Sequence, residues 1–163
     1  MSNWNKIFKP IVVLVIICIV VTGALAATNG VTAPIITAAT QEAERAARSE
    51  LLPEAEDFEP VTGAMIHGPW TLPDGRKVNV SAIYKSTNDV GVVITSSAKG
   101  YGGDVVVMTA ITPDGTIKQV KIQSQGETAG VGTKIENESF WSQYTGLPAE
   151  TITLDQQVDR ITG

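Results

Sequence analysis

Between Gly126 and Lys134 the chain reads Gly-Glu-Thr-Ala-Gly-Val-Gly-Thr-Lys, with three glycines, two threonines, one acid and one base. Such a loop sets a carboxylate, two hydroxyls and an ammonium group beside backbone that glycine leaves bare. Successive N–H groups in a turn of this kind cup an anion or meet the carbonyls on a heterocycle rim. Glycine suits that task because a side chain would hold a flat ring away from the backbone. The plainer reading is a surface loop whose glycines serve turn geometry alone. Two nucleotide-binding patterns fail. A P-loop needs Gly-Lys-Ser/Thr in that order, whereas here Thr133 precedes Lys134. The dinucleotide fingerprint needs a glycine three positions after Gly132, and Ile135 stands there.

A second glycine-rich element, Gly100-Tyr101-Gly102-Gly103, repeats the theme about two dozen residues earlier. Three glycines around one tyrosine suit close packing, either against another backbone or against a ligand.

The elements around these loops read as strands. "KVNVSAIY" places Val78, Val80, Ala82 and Tyr84 on one side of a strand that follows the turn Leu72-Pro-Asp-Gly75. "VGVVITS" is a short apolar run. "GDVVVMTAITPDGTIKQVKIQSQ" holds two strands around a second turn at Pro113, Asp114 and Gly115, where proline presets the turn and glycine relieves it. A short helical piece around Phe140–Tyr144 and a polar, irregular tail follow. The fold class is α+β, with an antiparallel sheet at its centre.

The N-terminus has a different character. No charge occurs from Pro10 to Thr40. Pro10 to Ala27 is 18 residues, eleven of them Ile, Val or Leu, and about 27 Å of helix nearly matches a hydrocarbon core. Lys6 and Lys9 precede it and favour the cytoplasmic side, which puts the bulk of the chain outside. Trp4 and Phe8 suit the headgroup region. The rival reading is a cleaved signal peptide, with Ala24-Leu25-Ala26 as the small-x-small pattern. A helix then runs to Pro53, its apolar stripe of Ile36, Ala39, Ala43, Ala47 and Leu51 mostly alanine. Such a stripe buries little, so a solvated or lightly docked stalk is expected.

Composition removes other classes. A formal net charge of -5 argues against a nucleic-acid partner, and 43% hydrophobic residues argue against disorder. Cys18 and His67 are the single cysteine and histidine, which leaves no intrachain disulfide, no zinc ligand set and no strong triad.

In order and spacing, "KGYGGDVVVMTAITPDGTIKQVKI", "GETAGVG" and the closing "DRITG" resemble the FMN-binding domain of the RnfG and NqrC family. These are the flavin-carrying subunits of the Rnf and Na⁺-translocating NADH:quinone oxidoreductase complexes. Ala129 and Val131 stand where the family has Pro and Leu, and chain length favours the RnfG branch. The resemblance implies a cytoplasmic N-terminus over 1–9, a transmembrane helix over 10–28, a helical stalk over 29–58 and an FMN-binding domain over 59–163. It implies FMN joined through its phosphate to a threonine, as a phosphoester on the second hydroxyl residue of a Ser/Thr-Gly-Ala-Thr motif. Thr162 and Gly163 supply only the first half of that motif, so the expected acceptor lies two residues past Gly163, and the sequence is expected to continue. The cofactor contacts carried over are Tyr101, Gly102, Gly103, Glu127, Thr128, Ala129, Gly130, Val131, Gly132, Thr133, Thr162 and Gly163. Glu127, Thr128 and the Gly130–Gly132 backbone would line the ring, Thr162 and Gly163 the phosphate end, and Lys134 would offset negative charge. No catalytic residue and no metal are implied. The partners implied are the other integral-membrane and peripheral Rnf subunits, with lipid around the N-terminal helix. Electrons would pass between ferredoxin and NAD, coupled to Na⁺ or H⁺ movement. An NqrC-like subunit and an anchored, non-redox scaffold with the same fold are the alternatives.

Overall fold

The computed structural model describes residues 2–63, 68–72, 75–159 and 161, with side chains from Phe8 onward. The chain divides into two compact units, Met1–Glu44 and Arg45–Gly163.

Helix α1 (Ser2–Leu51) supplies all of the described first unit. It runs on through Thr28–Thr32 and through Pro34, where the sequence divides into membrane segment and stalk. The hydroxyls of Thr28, Thr32, Thr37 and Thr40 each donate to the carbonyl four residues back, at 2.9 Å. This back-bonding gives each hydroxyl a partner within the helix. Among the described residues this is the one helix long and apolar enough to cross a membrane, and its apolar window is unburied. That fits a membrane anchor.

In the second unit the last turn of α1 meets an antiparallel sheet. Its strands are β1 (Phe58–Pro60), β2 (Trp70–Thr71), β3 (Lys77–Ser86), β4 (Val92–Lys99), β5 (Asp104–Ile111) and β6 (Ile117–Ser124). The order is β1-β3-β4-β5-β6, and β2 joins β1 on the outer edge of β3. The second Pro-Asp-Gly turn closes β5 onto β6: the Gly115 N–H donates to the Thr112 carbonyl at 2.9 Å, with Gly115 at φ +81°. At the first turn Pro73 and Asp74 lie outside the described residues. The hydrogen bond from the Gly75 N–H to the Leu72 carbonyl, 2.9 Å, still marks its closure.

Strand alternation separates two faces. Val93 and Thr95 of β4, paired with Ala110 and Met108 of β5, turn toward the end of α1 and are buried. Leu51 and Leu52 complete that core, with Ala47, Ala55, Phe58 and Val90 around it. Ile94, Ser96 and Ala98, with Val105, Val107, Thr109 and Ile111, face the other way. Coverage of both faces explains why these strands read as apolar runs.

The stalk's end is therefore not solvated. The stripe's many alanines give little warning, because the burial is concentrated at its last member, Leu51, and at Leu52 beside it, 0% and 1% exposed. Pro53 ends the helix there, since it disfavours helical geometry at the residue before it, and that geometry turns Leu52 into the core. The Arg48 guanidinium carbon sits 3.9 Å from the centroid of the Tyr84 ring, a cation–π contact that holds the same turn against β3.

A buried leucine truncated to alanine costs about 2–5 kcal/mol. Leu52→Ala is expected to lower the stability of the sheet unit by that order, whereas Ala43→Ser, on the exposed part of the helix, is expected to leave it unchanged. Denaturant unfolding of the full chain in detergent, followed by tryptophan fluorescence, checks both.

Candidate functional site

β5 begins just after the first glycine turn, and β6 ends just before the second. Because β5 and β6 are adjacent antiparallel strands, the hairpin carries Gly100–Gly103 and Gly126–Gly132 to the same end of the sheet. The two turns pack directly on each other. A Cβ on Gly102 would fall 2.2 Å from the Gly126 carbonyl oxygen, and one on Gly132 would fall 2.5 Å from Glu127 Cβ. One on Gly100 would lie 2.0 Å from Glu127 Oε1.

The glycines at these three positions answer first to a neighbouring backbone and to Glu127. Gly130 is different: it has open space but sits at φ +78°, where its N–H donates to Thr133 Oγ1 at 2.9 Å. The Gly102 N–H donates to Glu127 Oε1 at 3.2 Å, and the Glu127 N–H donates to Gln125 Oε1 at 2.5 Å. Glu127 thus bridges the turns with its half-buried side chain.

Beside this junction opens a cleft of about 730 Å³. Glu127, Thr128, Val131 and Gly132 line one side; Gly100, Tyr101 and Val105 line another; Arg76, Ile135 and Ile161 complete it. It adjoins a second lobe of about 590 Å³ through the shared residues Arg76, Val105 and Ile135. The floor of that lobe is the outer face of β4, β5 and β6. Its cover is the segment after β6, which contributes Phe140, Trp141, Tyr144 and Ile152. Two short elements hold these aromatics: α2 (Glu138–Trp141) and a 3₁₀ turn over Ser142–Tyr144. Phe140 and Tyr144 meet edge to face, with centroids 5.9 Å apart. Burial pushes the Tyr144 hydroxyl above its usual pKa, so it stays a neutral donor and acceptor near neutral pH.

Of the expected cofactor residues, Tyr101, Glu127, Thr128, Val131 and Gly132 line the cleft. Gly102 and Gly103 form its supporting turn, and Gly130 and Thr133 shape the opposite one. Ala129 is exposed on that turn and does not line the cleft, nor does Lys134. Thr162 and Gly163 lie outside the described residues, though their neighbour Ile161 is in the cleft wall. Sequence reasoning missed Arg76, which follows an ordinary turn, and missed Ile135 as the link between the lobes.

Size and chemistry suit a flat aromatic heterocycle with a polar end: an apolar floor, a few placed polar groups and a volume within the usual ligand range of about 300–1,000 Å³. Residues 100–163 match the family described as FMN-binding domain. That span starts at the first glycine turn and takes in both lips of the cleft and its cover. Over 169 aligned residues the chain is 32% identical to the G subunit of the ion-translocating oxidoreductase complex of Methanosarcina acetivorans, covering 100% of this chain and 87% of that protein. The chain belongs to the G-subunit family of these complexes. It is also 34% identical over 154 residues to the G subunit of the Na(+)-translocating ferredoxin:NAD(+) oxidoreductase complex of Acetobacterium woodii, covering 91% and 73% of the two chains. The C subunit of the Na(+)-translocating NADH-quinone reductase of Pasteurella multocida is 32% identical over 92 residues, which is 53% of this chain and 35% of that protein. The G-subunit relatives therefore align along the anchor as well as the domain.

The glycine contacts set a testable order. Gly102→Ala drives a methyl group into the Gly126 carbonyl and is expected to cost about 1–3 kcal/mol, as overpacking does. At Gly126 the nearest atom to an added Cβ is 3.6 Å away, so Gly126→Ala is expected to stay within about 0.5 kcal/mol of the parent. Denaturant midpoints of the two variants decide.

Proposed function

We propose that this chain is a membrane-anchored electron carrier of an Rnf-type ion-translocating ferredoxin:NAD oxidoreductase, with FMN held in the cleft between the two glycine turns. The observation that carries the reading is the convergence of Gly100–Gly103, Gly126–Gly132 and Ile161 on one cleft, within the span that matches the FMN-binding domain. The flavin supplies reversible electron uptake; the protein supplies position, attachment and potential. Glu127, fixed by the Gly102 N–H, places a carboxylate in the cleft wall. Thr128 and the Gly130–Gly132 backbone form the adjoining wall, with Tyr101 and Gly103 on the facing turn. Ala129 and Thr133 set the shape of the loop. By the resemblance, Thr162 and Gly163 belong to the attachment motif that serves the phosphate, with a threonine hydroxyl carrying the phosphoester.

The apolar part of α1 anchors the domain in the membrane, with Lys6 and Lys9 on the cytoplasmic side and the flavin domain outside. Tethering beside the integral-membrane partners of the complex raises the carrier's effective concentration there. Residues 10–28 are the span, 29–58 the stalk and 59–163 the flavin domain in this reading. The redox role belongs to the assembly; alone, the chain is not an enzyme. The runner-up is an NqrC-like role, favoured by the alignment to the quinone reductase protein but over only half of this chain. A non-redox scaffold has no comparable support.

Denaturing electrophoresis of the natural full-length protein, viewed under ultraviolet light, is expected to show a fluorescent band that survives boiling. A dark band would remove the covalent carrier. Glu127→Gln deletes a negative charge from the cleft wall and is expected to raise the flavin midpoint potential by tens of mV, ~30 mV for each tenfold change in a two-electron equilibrium. A redox titration that superimposes on the parent would take Glu127 out of the site.

A further inference from the structure

Two charged side chains, and only two among the described residues, line the two lobes of the cleft: Glu127 and Arg76. Glu127 belongs to the glycine loop; Arg76 does not, and it precedes the span that matches the FMN-binding domain. Arg76 is also one of three residues common to both lobes, with Val105 and Ile135. Its main chain is fixed: the Leu72 N–H donates to the Arg76 carbonyl at 2.8 Å, and the Gly75 N–H closes the same turn at 2.9 Å. The β2–β3 turn thus delivers a permanent cation to the junction of the apolar lobe and the polar one. Arg76 and Lys134, the cation suggested by the sequence, are both exposed, but Lys134 lines neither lobe.

We propose that Arg76 is a potential-setting residue: its guanidinium is the counter-charge for the negative charge that reduction places on the bound flavin. This inference rests on the electron-carrier reading above. Two electrons from a donor and one proton from solvent leave the reduced ring system with one negative charge more than the oxidised one. A fixed cation in the wall favours that charged form, and Glu127 opposes it. Arginine suits the role because it remains protonated throughout. The potential is then a balance between one residue of the glycine loop and one outside it.

The test is a redox titration of the flavin-loaded full-length protein in detergent, reduced stepwise with dithionite, for the parent, Arg76→Gln, Arg76→Lys and Lys134→Gln. A unit charge about 10 Å from a redox group, at an effective dielectric of about 20, changes its equilibrium by roughly tenfold. Arg76→Gln is expected to lower the two-electron equilibrium constant about tenfold, ~30 mV more negative, with unchanged flavin content. The shift is expected to shrink as salt is raised, because the site is open to solvent. Arg76→Lys is expected to retain most of the parent potential, and Lys134→Gln to match the parent. Equal potentials in the parent and Arg76→Gln overturn the proposal, as does an equal shift in Lys134→Gln, which would mean only a change of net charge. Reduced flavin attachment with an unchanged potential in the loaded fraction also overturns it, since Arg76 would then serve the phosphate. Should Arg76→Gln fail to fold, the comparison passes to Arg76→Lys, and a loss as large as tenfold there counts against the role. A parent protein that carries no flavin at all defeats the carrier reading itself, and so is distinct from all of these outcomes.

Discussion

Everything at the candidate site rests on a contact between two backbones. Where Gly102 meets the Gly126 carbonyl there is no space for a Cβ, and Gly132 leaves none between itself and Glu127. Two turns that arise from opposite strands of a hairpin close on each other this tightly because Gly102 carries no side chain at the contact. Their closeness then positions the one acid that bridges them. Glu127 accepts from the Gly102 N–H and stands in the cleft wall at once.

The sheet behind this junction serves two cores. One face of β4 and β5 takes Leu51 and Leu52 from the end of α1; the other takes the aromatic cover of α2 and the 3₁₀ turn after it. The two sides are unlike in closure. Leu51, Leu52, Val93, Met108 and Ala110 are buried to within about one per cent, whereas the opposite face keeps a lobe of about 590 Å³. Tight packing on one side fixes the strands, and the space on the other is left for a ligand. Charge follows the same division: the lobes are lined by apolar and neutral polar groups except at Arg76 and Glu127.

The apolar part of α1 and its domain-packed end meet different physical requirements in one continuous element. From Pro10 to Thr40 the helix needs only to be apolar and internally hydrogen-bonded, which the back-bonded threonines satisfy. From Arg45 it belongs to the second compact unit, where Arg48 stacks on Tyr84 and the leucines enter the core. Family membership rests on similarity over both parts, with the Methanosarcina relative aligning along the whole chain.

Local chemistry alone determined much of this. A charge-free run of 31 residues from 10 to 40 makes a helix long and apolar enough to cross a membrane whatever follows it. Proline-aspartate-glycine between apolar strands makes a hairpin because φ is preset at one position and freed at another. Once that hairpin exists, the glycine turns at its open end must be neighbours, so their meeting was legible from spacing. What the glycines touch was not: a sequence cannot distinguish a glycine that admits a ring from one that admits a carbonyl, since both need only the absence of Cβ. Nor could it choose between Lys134 and Arg76 as the cation in the cleft, or show that Leu52 is core while Ala43 is bare. Those outcomes depend on where distant strands place each side chain, and only the folded sheet, by register and face, decides that.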